Sequence, residues 1–140
     1  VHCTASRQTW SVDALLKEFT NKGWHYPGYH WIVEANGKAT QLMTEDLPSN
    51  GVKGYNHESI NVAYMGGISR SGKPIDNRTD EQKATLRELL TELKQRYPEA
   101  KILGHRDISP DLNHNGKVDV WERIKACPCF DAIPEYADIK

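Results

Sequence analysis

Tyr29-His30-Trp31-Ile32-Val33-Glu34-Ala35-Asn36-Gly37-Lys38-Ala39-Thr40-Gln41-Leu42 is the stretch from which the fold can be read. Two runs suited to strands flank Asn36-Gly37, and Asn-Gly is the pair that most readily takes the positive φ values of a tight hairpin turn. The spacing therefore predicts antiparallel strands over 29–35 and 38–42. Upstream, residues 1–5 read as the end of a buried strand. Ser11 is a helix cap for the stripe Val12, Leu15, Leu16 and Phe19, with Gly23 as the stop. Downstream, 59–65 reads as another strand, ended by Gly66-Gly67. Thr79-Asp80-Glu81-Gln82 has the capping-box form, and Leu86, Leu89, Leu90, Leu93 and Tyr97 continue at helical spacing until Pro98 closes the helix. Residues 101–104 are expected to form a short strand that delivers His105, 120–126 a short helix, and the last ten residues a tail on the surface. Strands alternate with helices and no internal repeat is present. The expected class is α/β (α+β), one domain over 1–140 with a central mixed β-sheet flanked by helices.

A chain of 140 residues can bury a core without disulfide staples. A formal net charge of −1 gives no sign of a nucleic-acid or anionic-membrane surface. No apolar run approaches the ~18 residues of a bilayer span, so neither nucleic acid nor membrane insertion is expected, and the chain is expected to be a monomer. Three cysteines is an odd number. Cys127 and Cys129 stand too close to pair easily with each other, and a disulfide from Cys3 to one of them is the plain alternative to metal binding.

Chemistry concentrates at the two ends. Gly104-His105 and Ala126-Cys127-Pro128-Cys129 bring an imidazole and a thiol, and Val1-His2-Cys3 brings a second imidazole. Sites in α/β sheets form where strand ends meet loops, so His2, His105 and Cys127 can converge as three zinc ligands. Three protein ligands with one open position is the catalytic pattern of zinc. Adding Cys129 would make a closed structural site, although one residue between two thiolates is tighter than the usual spacing. Between these ends, Asp111-Leu112-Asn113-His114-Asn115-Gly116-Lys117-Val118-Asp119-Val120-Trp121-Glu122 fits a calcium-loop pattern. Its oxygen ligands would be Asp111, Asn113, Asn115, the Lys117 carbonyl, Asp119 and Glu122. The competing reading is a polar turn that caps the following helix. Residues 43–58 read as a long surface loop of the kind that carries function.

By its residue strings the chain resembles zinc-dependent N-acetylmuramoyl-L-alanine amidases of the bacteriophage-lysozyme type, which are related to peptidoglycan recognition proteins. The strings are Val1-His2-Cys3-Thr4-Ala5, Gly28-Tyr29-His30-Trp31-Ile32-Val33, Lys53-Gly54-Tyr55-Asn56-His57-Glu58-Ser59-Ile60, Gly66-Gly67-Ile68, Gly104-His105 and Lys125-Ala126-Cys127-Pro128-Cys129-Phe130-Asp131. They follow the family's order from end to end, although the segment between His105 and Cys127 is longer here. The resemblance implies Zn2+ on His2, His105 and Cys127, with Tyr29 and Lys125 as catalytic side chains. It implies bacterial peptidoglycan or muropeptides as substrate, in a groove lined by Lys53, Tyr55, Asn56 and His57. The expected reaction is hydrolysis of the amide between N-acetylmuramic acid and L-alanine of the stem peptide. A non-catalytic peptidoglycan-binding module is the alternative, and relatives of that kind typically lack the cysteine ligand. Such a protein acts on the cell wall, which leaves its compartment open. Strand alternation adds one constraint: if Tyr29 faces the metal, His30 does not.

Overall fold

The computed structural model describes residues 1–24, 26–50, 59–108, 114 and 126–140. Four short strands form one mixed sheet in the order β1 (His2–Cys3), β4 (Val62–Tyr64), β2 (Trp31–Val33), β3 (Ala39–Gln41). β4 is parallel to both β1 and β2, whereas β2 and β3 are the expected antiparallel hairpin with Val33 opposite Ala39. Gly37 takes φ +86° at the turn, the left-handed region that the Asn-Gly pair anticipates.

The pleat sorts the side chains into two cores. Ile32, Ala63 and Met65 point to one face and meet Leu15 and Phe19 of α1 (Val12–Asn21). Cys3, Val33, Val62 and Tyr64 point to the other and meet Leu86, Leu89, Leu90 and Leu93 of α2 (Asp80–Arg96). Both helices begin where the sequence places them. The Ser11 hydroxyl accepts from the Ala14 amide, and Thr79 and Gln82 form a full capping box. Among the described residues no helix is long and apolar enough to cross a membrane.

Gln82 does more than cap. Completely buried, it donates from Nε2 to the carbonyl oxygens of Val33 at 3.1 Å and Met65 at 2.9 Å while Oε1 accepts from Thr79 N at 2.9 Å. Its amide therefore fastens the start of α2 to the ends of two neighbouring strands.

Three expectations need correction. The strands are shorter than the patterns suggest, because the Asn61 carbonyl accepts from both His30 N (2.8 Å) and Trp31 N (3.2 Å) and the regular ladder begins only beyond them. Residues 101–104 form no strand. They make one narrow pair of bonds with Val1, whose nitrogen donates to Leu103 O at 2.7 Å and whose carbonyl accepts from His105 N at 3.0 Å. The chain then winds into a 3-10 turn at His105–Ile108. The last ten residues are not a surface tail. α3 (Ala132–Glu135) puts Ala132 and then Tyr136 into the α2-side core beside Phe130. Arg78 lies 3.4 Å over the Phe130 ring and pairs with Asp76 at 2.9 Å and with Glu135, so this end is pinned by charge as well as by burial.

Gln82→Met keeps the side-chain volume and removes three buried hydrogen bonds. It is expected to lower the unfolding free energy by about 2–3 kcal/mol in urea titration. An unchanged midpoint would show that the pin contributes nothing net.

Candidate metal centre

His2 sits on β1, in register with Ala63, and so projects from the α1 face, while the next residue, Cys3, projects into the α2 core. His105 is delivered by the Val1 pairing just described, and a second backbone bond, Arg106 N to Cys127 O at 2.9 Å, brings in the third residue. Cys3 N also donates to Cys127 Sγ at 3.2 Å. Gly104 allows this approach, since a Cβ there would lie 2.8 Å from Pro128 Cδ. Arg106 reinforces the junction by donating to Asp131 Oδ1 at 2.6 Å.

Two imidazoles and one thiol converge as a result. The candidate ligand atoms of His2, His105 and Cys127 all lie within 4.8 Å of one another, and His2 Nδ1 is 3.9 Å from Cys127 Sγ. Around a tetrahedral zinc, nitrogen and sulfur ligands stand about 3.3–3.6 Å apart. The donor set and the spacing therefore fit zinc, with small side-chain rotations sufficient to close the group. Cys129 does not belong to it. Its thiol points to Gly67 O at 3.6 Å, which disfavours the closed four-ligand arrangement. All three cysteines are free thiols, so the disulfide alternative is not the state seen.

Tyr29 packs beside the group with its ring centroid 5.1 Å from that of His2, and its hydroxyl donates to Cys3 O at 3.2 Å. Burial, and then the neighbouring thiols of Cys127 and Cys3, pushes the phenol above its usual range. It is a neutral O–H, suited to donating. His30, which precedes the regular part of β2, is not part of the group and is completely buried. Its Nδ1 accepts from Asn61 N at 3.0 Å and its Nε2 meets Leu47 O at 2.7 Å. Hydrogen bonding from the Cys3 thiol, opposed by burial and supported by the Cys3 amide, holds the Cys127 thiol below its usual range. The same bond to Cys127, and then burial, pushes Cys3 far up. Cys129 is pushed up to about 12, by burial first and then by Cys3. Of the three thiols, only that of Cys127 is shifted toward its ionised form.

Lys53, Tyr55, Asn56 and His57, the catalytic candidate Lys125 and the calcium candidates Asp111, Asn113, Asn115, Lys117, Asp119 and Glu122 lie outside the described residues, as do residues 120–125 of the expected short helix. Two residues not anticipated from the sequence do belong to the site. Asn61 Oδ1 lies 2.8 Å from His2 Nε2, and Asn61 Nδ2 donates to Ser49 Oγ at 2.6 Å. The signal available was an amide in a strand whose same-face neighbours, Ala63 and Met65, are apolar. His2 and His105 also line a cleft of about 790 Å³ that runs past Asn61 and Gly104 to Leu93 of α2 and to Tyr97.

By its fold the molecule resembles solved structures of cell-wall amidases. It superposes on the Ph2119 endolysin from a Thermus scotoductus bacteriophage with a TM-score of 0.72, at 21% identity over 98% of this chain and 79% of that one. It also superposes on the N-acetylmuramoyl-L-alanine amidase LysC from Clostridium intestinale with a TM-score of 0.67, at 17% identity over 96% and 76% of the two chains. Sequence makes the assignment particular: residues 1–129 match the Amidase_2 family, N-acetylmuramoyl-L-alanine amidase, and the chain belongs to that family. The endolysin of Klebsiella phage KP32 is 35% identical over 94% of this chain and 79% of its own length. The protein is a peptidoglycan hydrolase with N-acetylmuramoyl-L-alanine amidase activity, as its residue strings led us to expect.

In metal-free protein at neutral pH, a short iodoacetamide pulse is expected to label Cys127 on the order of 10-fold faster than Cys129, with Cys3 labelled only on unfolding. Peptide mapping by mass spectrometry reads the order. Equal rates at Cys127 and Cys129 would contradict the selection of one thiolate.

Proposed function

We propose that the amidase works with one zinc ion held by His2, His105 and Cys127, and that Tyr29 and Lys125 are its catalytic side chains. The observation that carries the reading is the convergence of two imidazoles and a depressed thiol from three separate segments, with both imidazoles in the wall of an open cleft. Zinc held by three protein ligands supplies a Lewis acid for the scissile carbonyl and a water acidic enough to attack at neutral pH. The side chains do the rest. Cleavage of the amide joining N-acetylmuramic acid to L-alanine develops negative charge on the carbonyl oxygen and needs a proton on the leaving amine. Tyr29, a neutral phenol beside His2, donates a hydrogen bond there. Lys125, two residues before Cys127 in sequence, brings the positive charge that offsets the oxyanion. Bacterial peptidoglycan or its muropeptides are the partner, and the groove-lining role of Lys53, Tyr55, Asn56 and His57 belongs to the same proposal.

The test is peptide release from purified peptidoglycan. Zinc-loaded protein is expected to generate new L-alanine amino termini, chelated protein to stop and to recover on adding zinc, and Cys127→Ala to fall to background. Turnover that survives both chelation and Cys127→Ala would remove zinc from the reaction. Tyr29→Phe keeps the ring and deletes the donor, and is expected to lower kcat by about 100-fold while still binding one zinc per chain. Full kcat in that variant would release Tyr29 from its role.

A further inference from the structure

We infer that Asn61 is a positioning residue that fixes the proton of His2 on Nε2 and thereby turns Nδ1 toward the metal. The inference rests on the reading of His2, His105 and Cys127 as the zinc site, and concerns how that site is made ready. A neutral imidazole carries one proton, and only the other nitrogen can ligate. Which nitrogen is free is decided by the hydrogen bond that the ring makes on its far side.

At His2 that far-side partner is Asn61 Oδ1, 2.8 Å from Nε2. An amide oxygen only accepts, so Nε2 must hold the hydrogen and Nδ1, the atom 3.9 Å from Cys127 Sγ, presents its lone pair to the group. The opposite tautomer would require the amide to turn over, which would also take its NH2 away from Ser49 Oγ, 2.6 Å distant. His2, Asn61 and Ser49 are 2%, 3% and 0% exposed, so water does not readily replace either bond.

The backbone of Asn61 is bonded as fully as its side chain. Its N–H donates to His30 Nδ1 at 3.0 Å, and its carbonyl accepts from His30 N and Trp31 N. Because His30 Nδ1 accepts, its proton is on Nε2, where it donates to Leu47 O at 2.7 Å. His30 is thus a neutral, buried strut that holds residue 61 in register rather than a second ligand set. Parallel pairing completes the geometry. His2 is opposite Ala63 on β4, so the residue two before Ala63 is the diagonal neighbour on the same face, within reach of the ring. An apolar side chain at 61 would fill the same space as Ala63 and Met65 do on that face, and would leave the His2 N–H without this acceptor in a buried place.

The proposal is tested first on the unaltered protein. Long-range proton–nitrogen correlation spectra of the metal-free, nitrogen-15-labelled chain are expected to show the His2 ring as the Nε2–H tautomer, and an Nδ1–H ring would overturn the inference. Two variants then separate positioning from bulk. Competition with a chromophoric chelator is expected to show zinc bound about 10–100-fold more weakly by Asn61→Leu. Asn61→Asp keeps an acceptor for the Nε2 proton, and should stay within about threefold of the parent. Equal zinc affinity in all three proteins would reduce Asn61 to packing. Should Asn61→Leu fail to fold, the tautomer measurement still decides. Cys127→Ser is the control for the underlying site: zinc binding that ignores it would sink the three-ligand reading itself, whereas binding that needs Cys127 but ignores Asn61 would sink only the positioning role.

Discussion

The structure depends on one short piece of pairing, the two residues of β1 laid parallel to β4. Because successive strand residues face opposite ways, this pairing sends His2 to the α1 side and Cys3 to the α2 side, where it joins the core with Tyr64 and Leu86. A register shift of one residue would exchange them, burying an imidazole among leucines and removing the first ligand from its group. Apolar burial of Cys3 on one face therefore locks the position of His2 on the other. Gly67 belongs to the same lock, since a Cβ at that residue would stand 2.5 Å from Cys3 Sγ. Fold and site share a single constraint here.

Electrostatics on the two sides of the sheet differ in kind. Around His2 the buried polar groups are neutral and linked by hydrogen bonds through Asn61, Ser49 and His30. Such a chain is tolerable in a low-dielectric interior only when its members satisfy each other. On the α2 side one buried polar group is a cation, Arg78, paired with Asp76 and Glu135 and stacked on Phe130. That cluster holds α3 in place and with it the segment that carries Cys127.

What the sequence made legible follows from how local each signal is. The Asn36-Gly37 turn, the Ser11 cap and the Thr79–Gln82 capping box are settled by residues within four positions of each other, and each forms as expected. His2, His105 and Cys127 stand out because ligand chemistry restricts them to few residue types and because each sits in a distinctive string. The strand ends are overextended in the sequence pattern for a tertiary reason, since the double acceptance by the Asn61 carbonyl involves residues thirty positions apart. The 101–104 segment looks like a strand by composition, yet the ladder-like bonds it makes are to Val1. The tail is misread from sequence because Ala132 and Tyr136 gain their place through Arg78, which no periodicity announces.

Placement of Cys127 shows how a candidate ligand from the far end of the chain can be held as firmly as one on a strand. The segment 126–131 has no regular strand of its own, but it is fastened from three directions. Tyr64 Oη donates to Pro128 O at 2.6 Å from within the sheet. Arg106 binds the segment through its own amide to Cys127 and through its guanidinium to Asp131. Phe130 anchors it in the α2-side core. Each bond replaces a freedom that a loop would otherwise keep, so much of the entropy of ordering the thiol is lost during folding rather than on metal binding. A group ordered in this way needs only small side-chain rotations to close on an ion. That is the preorganisation a catalytic site requires.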